Sequence, residues 1–212
     1  MNVFIHFAII LSVMLTVQNR LEERLPEAFT NTRLFIFDLD GTIVKLPIKW
    51  AEVKKKIKKT LKTDFSLTPL IPSIEEYVTD SELRRRIYKV IDDEEMKAVE
   101  KLKFDGEIIK LFKKLKKLGY KLALVTLQGR KPAIEALSKL NVSEFFNLVI
   151  SRDEKKEREE QIKTTLEAMK VPSSQVIVVA DKPRDIAIAK KLGCVSIAIT
   201  DKANMDGDLK LA

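Results

Sequence analysis

Five short apolar runs punctuate the chain after residue 32, at 34–37, 122–125, 148–150, 176–180 and 195–199. None alternates apolar with polar residues, and Val and Ile recur in them. A strand with one wet face would alternate with period two, so these runs predict strands covered on both faces, as in a parallel sheet. Between them the apolar period lengthens to that of a helix. Ile108, Ile109, Leu111, Phe112, Leu115 and Leu118 form one stripe, which Gly119 stops. Further helices are expected over 131–140, 157–169 and 185–192. Strand and helix in alternation predict an α/β fold, a doubly wound, Rossmann-like parallel sheet.

Residues 46–103 break this rhythm. Trp50, Val53, Ile57 and Leu61 recur at helical spacing, as do Leu83, Ile87 and Val90, and no strand pattern intervenes. Pro69 and Pro72 punctuate a loop, and Ser73 with Glu76 reads as a capping box that opens a short helix. The expected organisation is an α/β core from 31–45 and 104–212, with 46–103 as a helical insert between its first two strands. Residues 1–30 stand apart. Within them 3–17 is almost continuously apolar, yet shorter than the roughly twenty residues that span a bilayer. No positive stretch precedes it as in a secretory signal, and Arg20 and Arg24 follow it. A start further along, at Met14 for example, competes with a membrane tether through 3–17; the tether is the less favoured reading.

Composition adds three constraints. With 45% hydrophobic and 33% charged residues the chain reads as soluble and globular, not disordered. The single cysteine, Cys194, excludes an internal disulfide framework and a cysteine-cluster zinc site, and suits a reducing cytoplasm. Lys+Arg at 39 against Asp+Glu at 31 gives a net charge of +8. Few aromatics accompany the lysines as stacking platforms, so a solvated basic surface is expected here, and no nucleic-acid partner. The oligomeric state is left open.

Candidate chemistry gathers where the apolar runs end. The first runs into Asp38, the second into Thr126, the third into Ser151 and Arg152, the fourth into Asp181. In a parallel sheet these carboxyl ends share one edge, where α/β folds bind ligands. Asp38 and Asp40, two apart in extended chain, point the same way, and Gly41 permits a sharp turn after them. Asp181 and Asp185, four apart, share a face if a helix begins between them, and Pro183 suits its first turn. Two carboxylate pairs brought together repel unless a cation joins them; hard oxygen ligands of this kind suit Mg²⁺ with phosphate.

Asp38-Leu39-Asp40-Gly41-Thr42 after a buried strand resembles the signature of the haloacid dehalogenase superfamily. Thr126 matches that family's second motif, a Ser or Thr ending the next core strand. Lys156 stands at the usual distance for the third, a lysine ahead of a helix, with Lys155 as its rival. Asp181 and Asp185 match the fourth, an acidic pair. The resemblance spans about 33–200, and within the superfamily the chain is similar to phosphoglycolate phosphatases with a small helical cap. It departs from the family at Glu157, where proline often follows the lysine, and at Ala180, where glycine is frequent.

The resemblance implies a Mg²⁺-dependent phosphatase acting on a small phosphorylated metabolite. Asp38 would be the nucleophile and Asp40 the acid and base. Thr126 would bind a phosphoryl oxygen, and Lys156 would neutralise developing charge. The metal would be held by Asp38, the Asp40 carbonyl and Asp181, with Asp185 behind them or as a further ligand. Gln128 and Arg130, just past Thr126, are the expected substrate contacts, and 46–103 would form the cap. Haloacid dehalogenases themselves lack the second aspartate, so Asp40 favours phosphoryl transfer. A phosphomutase of the same family and a non-catalytic basic binding module are the alternatives.

Overall fold

The computed structural model describes residues 31–103 and 106–199, and the backbone of 209–211. The segment 3–17 lies outside the described residues; among these, no helix is long and apolar enough to cross a membrane. Six strands form one parallel sheet: β1 (Leu34–Phe37), β2 (Lys121–Val125), β3 (Leu148–Ile150), β4 (Val176–Ala180), β5 (Val195–Ile199) and β6 (Leu209–Leu211). Their order is β3-β2-β1-β4-β5-β6. The first five are the predicted runs; β6, three residues paired with β5, was not anticipated from the sequence.

Successive β1 residues serve opposite faces. Phe35 and Phe37 pack with α4 (Gly106–Lys117) and α5 (Arg130–Lys139), through Leu111, Phe112, Ala133 and Leu137. Leu34 and Ile36 pack with α6 (Arg158–Met169) and α7 (Pro183–Lys191), through Ile162 and Ala189. Both faces are covered, which explains why the strands read as unbroken apolar runs. The strand order reverses between β1 and β4, so their carboxyl ends open a crevice.

Between β1 and β2 the chain forms α1 (Trp50–Leu61), α2 (Leu70–Tyr77) and α3 (Ser81–Glu100). They bury a core of their own from Val53, Ile57, Leu67, Ile71, Ile74, Val78, Ile87 and Ile91. Each such side chain contributes roughly 1.5–3 kcal/mol on burial, so the insert has its own driving force. The expected capping box at Ser73 and Glu76 does not form. α2 begins earlier, after Pro69 in extended backbone, and Ser73 Oγ donates back to the Pro69 carbonyl at 2.7 Å. The true helix cap nearby is Asp80, whose Oδ1 accepts from Leu83 N at 2.6 Å at the start of α3.

Candidate active site

The carboxyl ends of β1, β2 and β4 and the helices α1 to α3 enclose a chamber of about 340 Å³, lined by Asp38, Asp40, Thr126, Gln128, Arg158 and Asp185 among others. β1 delivers Asp38 directly, and its backbone N–H donates to Val179 O at 3.1 Å, fixing it beside β4. The chain then turns tightly, with Gly41 N donating to Val44 O at 2.8 Å. Gly41 has φ +91, and a Cβ there would overlap the Asp181 carboxylate. The turn and the close approach both require glycine.

Asp38 is 3% exposed. Its Oδ1 accepts from Arg158 Nη2 at 2.6 Å, while its Oδ2 has no hydrogen-bond partner. A buried carboxylate with one oxygen tethered and one bare is oriented and available as a nucleophile. The Asp40 carboxyl is pushed above its ordinary range by burial, and its Oδ1 accepts from Leu46 N at 2.8 Å. A raised carboxyl two residues from a bare one suits proton donation.

Arg158, at the start of α6, is the buried cation of the site. Its Nε lies 3.1 Å from Asp185 Oδ2, and its Nη1 donates to Val125 O at 2.7 Å and to Gln161 Oε1 at 3.0 Å. Burial opposes its charge, and Asp38 and Asp185 more than offset that. The sequence reasoning had put Lys156 or Lys155 in this place. Lys156 instead turns toward the insert, with its ammonium 3.1 Å from Glu75 Oε2 and over the Tyr88 ring. Neither Lys155 nor Lys156 lines the chamber. Arg130 likewise turns away, donating to Glu154 Oε1 at 2.7 Å with half its side chain exposed. Glu154 is itself anchored by Ser151 Oγ and N, so it holds the Arg130 guanidinium on the outer side of the loop.

Thr126 and Gln128 do reach the chamber. Their loop is pinned from the insert. Glu95 on α3, with no exposed surface, accepts from Gly129 N at 3.0 Å and from Arg152 Nη1 at 3.0 Å. Arg152 also bonds Asp92 and donates to Leu127 O at 2.7 Å. A Cβ at Gly129 would overlap Asp92. Burial raises the Glu95 carboxyl, and Arg152 opposes it. This Glu95–Arg152 pair escaped the sequence reading.

The chamber can hold a cation. Lys182 Nζ lies 3.5 Å from the Asp40 carbonyl, 3.5 Å from Asp181 Oδ1 and 3.9 Å from Asp38 Oδ2. Three oxygens thus surround one point already held by positive charge, and the two carboxylate oxygens are buried without hydrogen-bond partners. The Asp181 carboxyl is pushed up to about 6, by burial and then by Asp38 and Asp40. Such hard oxygen donors fit Mg²⁺. Among the described residues no three carboxylate, imidazole or thiolate side chains form a ready shell; the donor set is two carboxylates and a carbonyl. Asp185 is committed to Arg158.

Comparison with known proteins places these residues in context. The profile of the haloacid dehalogenase-like hydrolases matches residues 35–199. A phosphoglycolate phosphatase of Neisseria meningitidis is 25% identical over 198 residues, covering 82% of each chain. One from Aquifex aeolicus is 26% identical over 187 residues, covering 76% of this chain and 81% of its own. Among solved structures, a β-phosphoglucomutase from Clostridium difficile matches with a TM-score of 0.68 at 17% identity, over 85% of this chain and 91% of its own. A haloacid dehalogenase-like hydrolase from Streptococcus pneumoniae matches with 0.64 at 20% identity, over 85% and 94%. At those identities the structural likeness speaks for the fold.

Proposed function

Since this chain belongs to the haloacid dehalogenase-like hydrolases, we propose that it is a Mg²⁺-dependent phosphatase that cleaves a small phosphorylated metabolite through a phosphorylated Asp38. The observation that carries this reading is Asp38 itself, buried, tethered through Oδ1 to Arg158 and bare at Oδ2, with Asp40 beside it. The relatives named phosphoglycolate phosphatase support it.

The Asp38 carboxylate attacks phosphorus, the bond to the substrate's alcohol oxygen breaks, and Asp40 delivers a proton to that oxygen. Water then attacks the phosphorus of the aspartyl-phosphate, Asp40 takes its proton, and phosphate leaves with Asp38 restored. Thr126 Oγ1 binds a phosphoryl oxygen, and Gln128 contacts the substrate. Arg158 takes the role first expected of Lys156: it orients Asp38 and offsets charge on the transferring group. Asp185 acts by holding Arg158. Asp38, the Asp40 carbonyl and Asp181 would hold Mg²⁺, which when bound would shield nucleophile from phosphate and polarise the phosphoryl group. The insert 46–103 serves as the cap that excludes water, and the lone Cys194 suits a reducing cytoplasm.

Phosphate release from phosphorylated metabolites and p-nitrophenyl phosphate, with Mg²⁺ and with EDTA, tests the reading. Metal-dependent release that Asp38→Asn abolishes is the expected result. Release unchanged in Asp38→Asn removes the proposed nucleophile, and isomerised product without free phosphate identifies a mutase.

A further inference from the structure

Gln128 is 4% exposed, it lines the chamber, and neither its Oε1 nor its Nε2 has a hydrogen-bond partner. Buried amides are ordinarily paired at both ends, because an orphaned donor or acceptor keeps its full desolvation cost. The backbone around it is fixed. Gln128 N donates to Thr126 Oγ1 at 3.2 Å, Gln128 O accepts from Arg152 N at 3.0 Å, and the neighbours Leu127 and Gly129 are held by Arg152 and Glu95. A rigid loop therefore holds an unsatisfied neutral amide in the wall of the chamber.

The apolar part of the lining is Trp50, Pro69, Leu70, Ile71, Pro72 and Leu127. The buried cations beside it are already matched. Arg152 is paired with Glu95 and Asp92, and Arg158 with Asp38 and Asp185. Lys182 faces Asp38 and Asp181. Lys54, at the wall's edge, donates to the Thr68 hydroxyl at 2.6 Å, and Arg184 is exposed at the mouth.

Resting on the phosphatase reading for its phosphate end, we propose that this chamber selects phosphate monoesters of compact, largely apolar alcohols that carry one neutral hydrogen-bonding group, a hydroxyl or primary amide, and that Gln128 reads that group. A hydroxyl or primary amide both donates and accepts, so it satisfies Oε1 and Nε2 together. A carboxylate tail accepts only; it would leave Oε1 facing negative charge and would lose its own hydration against an apolar wall. The chamber's size suits a small molecule with one such group.

The test measures binding and turnover separately. Calorimetry on the full chain with Mg²⁺ compares non-hydrolysable n-butyl, 4-hydroxybutyl and 3-carboxypropyl phosphonates; phosphate release compares the matching esters. The hydroxyl compound is expected to bind about tenfold more tightly than the butyl one, as one buried hydrogen-bond pair implies, with the carboxylate weakest. Gln128→Leu should collapse the hydroxyl-to-butyl ratio toward one. Equal binding of butyl and hydroxyl compounds by the wild type overturns the proposal, as does tightest binding of the carboxylate, which would assign the tail to Lys54 or Arg184. Phosphate release with no preference among tails also overturns it and leaves the phosphatase reading intact. Hydroxyl-selective binding without any phosphate release upholds it and removes the phosphatase reading instead. No binding by any phosphonate overturns the proposal, and phosphate release with Mg²⁺ then decides the phosphatase reading on its own.

Discussion

Replacing Arg158 by Met isolates the central electrostatic feature of the site. Arg158 is 3% exposed, and its guanidinium holds Asp38 at 2.6 Å and Asp185 at 3.1 Å, both acids being nearly as buried. Exchanging a whole buried ion network for apolar groups can be neutral, but removing one partner leaves its opposite charges buried and unmatched, which costs about 3–5 kcal/mol. Two acids would be stranded here, so the upper half of that range applies unless one takes up a proton. For a chain of this length each kcal/mol lowers Tm by roughly 2–4 °C, so a fall of roughly 8–20 °C is expected by calorimetry. Adding Asp38→Asn to Arg158→Met should return part of the loss, with a coupling of about 1–3 kcal/mol for residues in contact. Phosphate release should drop at least about a hundredfold, the scale for losing a preorganised charge at the reacting group. Arg158→Lys should recover much of that release, since the resemblance has a lysine in this role, but not the bonds to Val125 and Gln161. An Arg158→Met protein that melts within a degree or two of wild type would refute the buried network, and one that also turns over normally would refute its place at the nucleophile.

Lys156→Met should cost under about 1 kcal/mol, because its pair with Glu75 is partly solvated, and phosphate release should change by no more than a few-fold. A hundredfold loss would return the third-motif role to Lys156. Arg152→Met strands Glu95 with no exposed surface and should destabilise by about 3–5 kcal/mol; denaturant unfolding measures it, and a loss below about 1 kcal/mol would contradict the pinning of the Thr126–Gly129 loop. Mg²⁺ binding followed by calorimetry should weaken about tenfold per pH unit below about 6, where the raised Asp181 carboxyl must release its proton to serve as a ligand. A flat profile from pH 7 to pH 5 would exclude Asp181 from the donor set. The same carboxyl acts with opposite sign on the metal-free fold. Its folded value lies above its unfolded one, so its contribution to stability is present in full below the unfolded value and is lost as pH rises through about 6.

Whether a residue of this site was readable in the sequence depended on the element that carries it. Asp38, Thr126 and Asp181 follow strands, and a strand buried on both faces announces its end by the first polar residue after an apolar run. The buried cation paired with Asp38 sits instead where a loop enters α6, and distance along the chain does not say which of Lys155, Lys156 or Arg158 turns inward. Helical period does. Arg158, Gln161, Ile162 and Thr165 are the buried residues of α6, spaced three, four and seven from the first. A guanidinium at the head of the only inward stripe has to meet buried negative charge, and the stripe points at Asp38. Glu95 obeys the same rule on α3, where Ile87 and Ile91 lead to it at four-residue intervals. A carboxylate continuing an apolar stripe has to find a buried cation, and Arg152, placed just past the short strand β3, is that cation. Both missed pairs were charged residues on faces that the period had already assigned to the core. There a charge survives only with a partner, and here the partners join Asp38 to α6 and the Thr126–Gly129 loop to the helical insert.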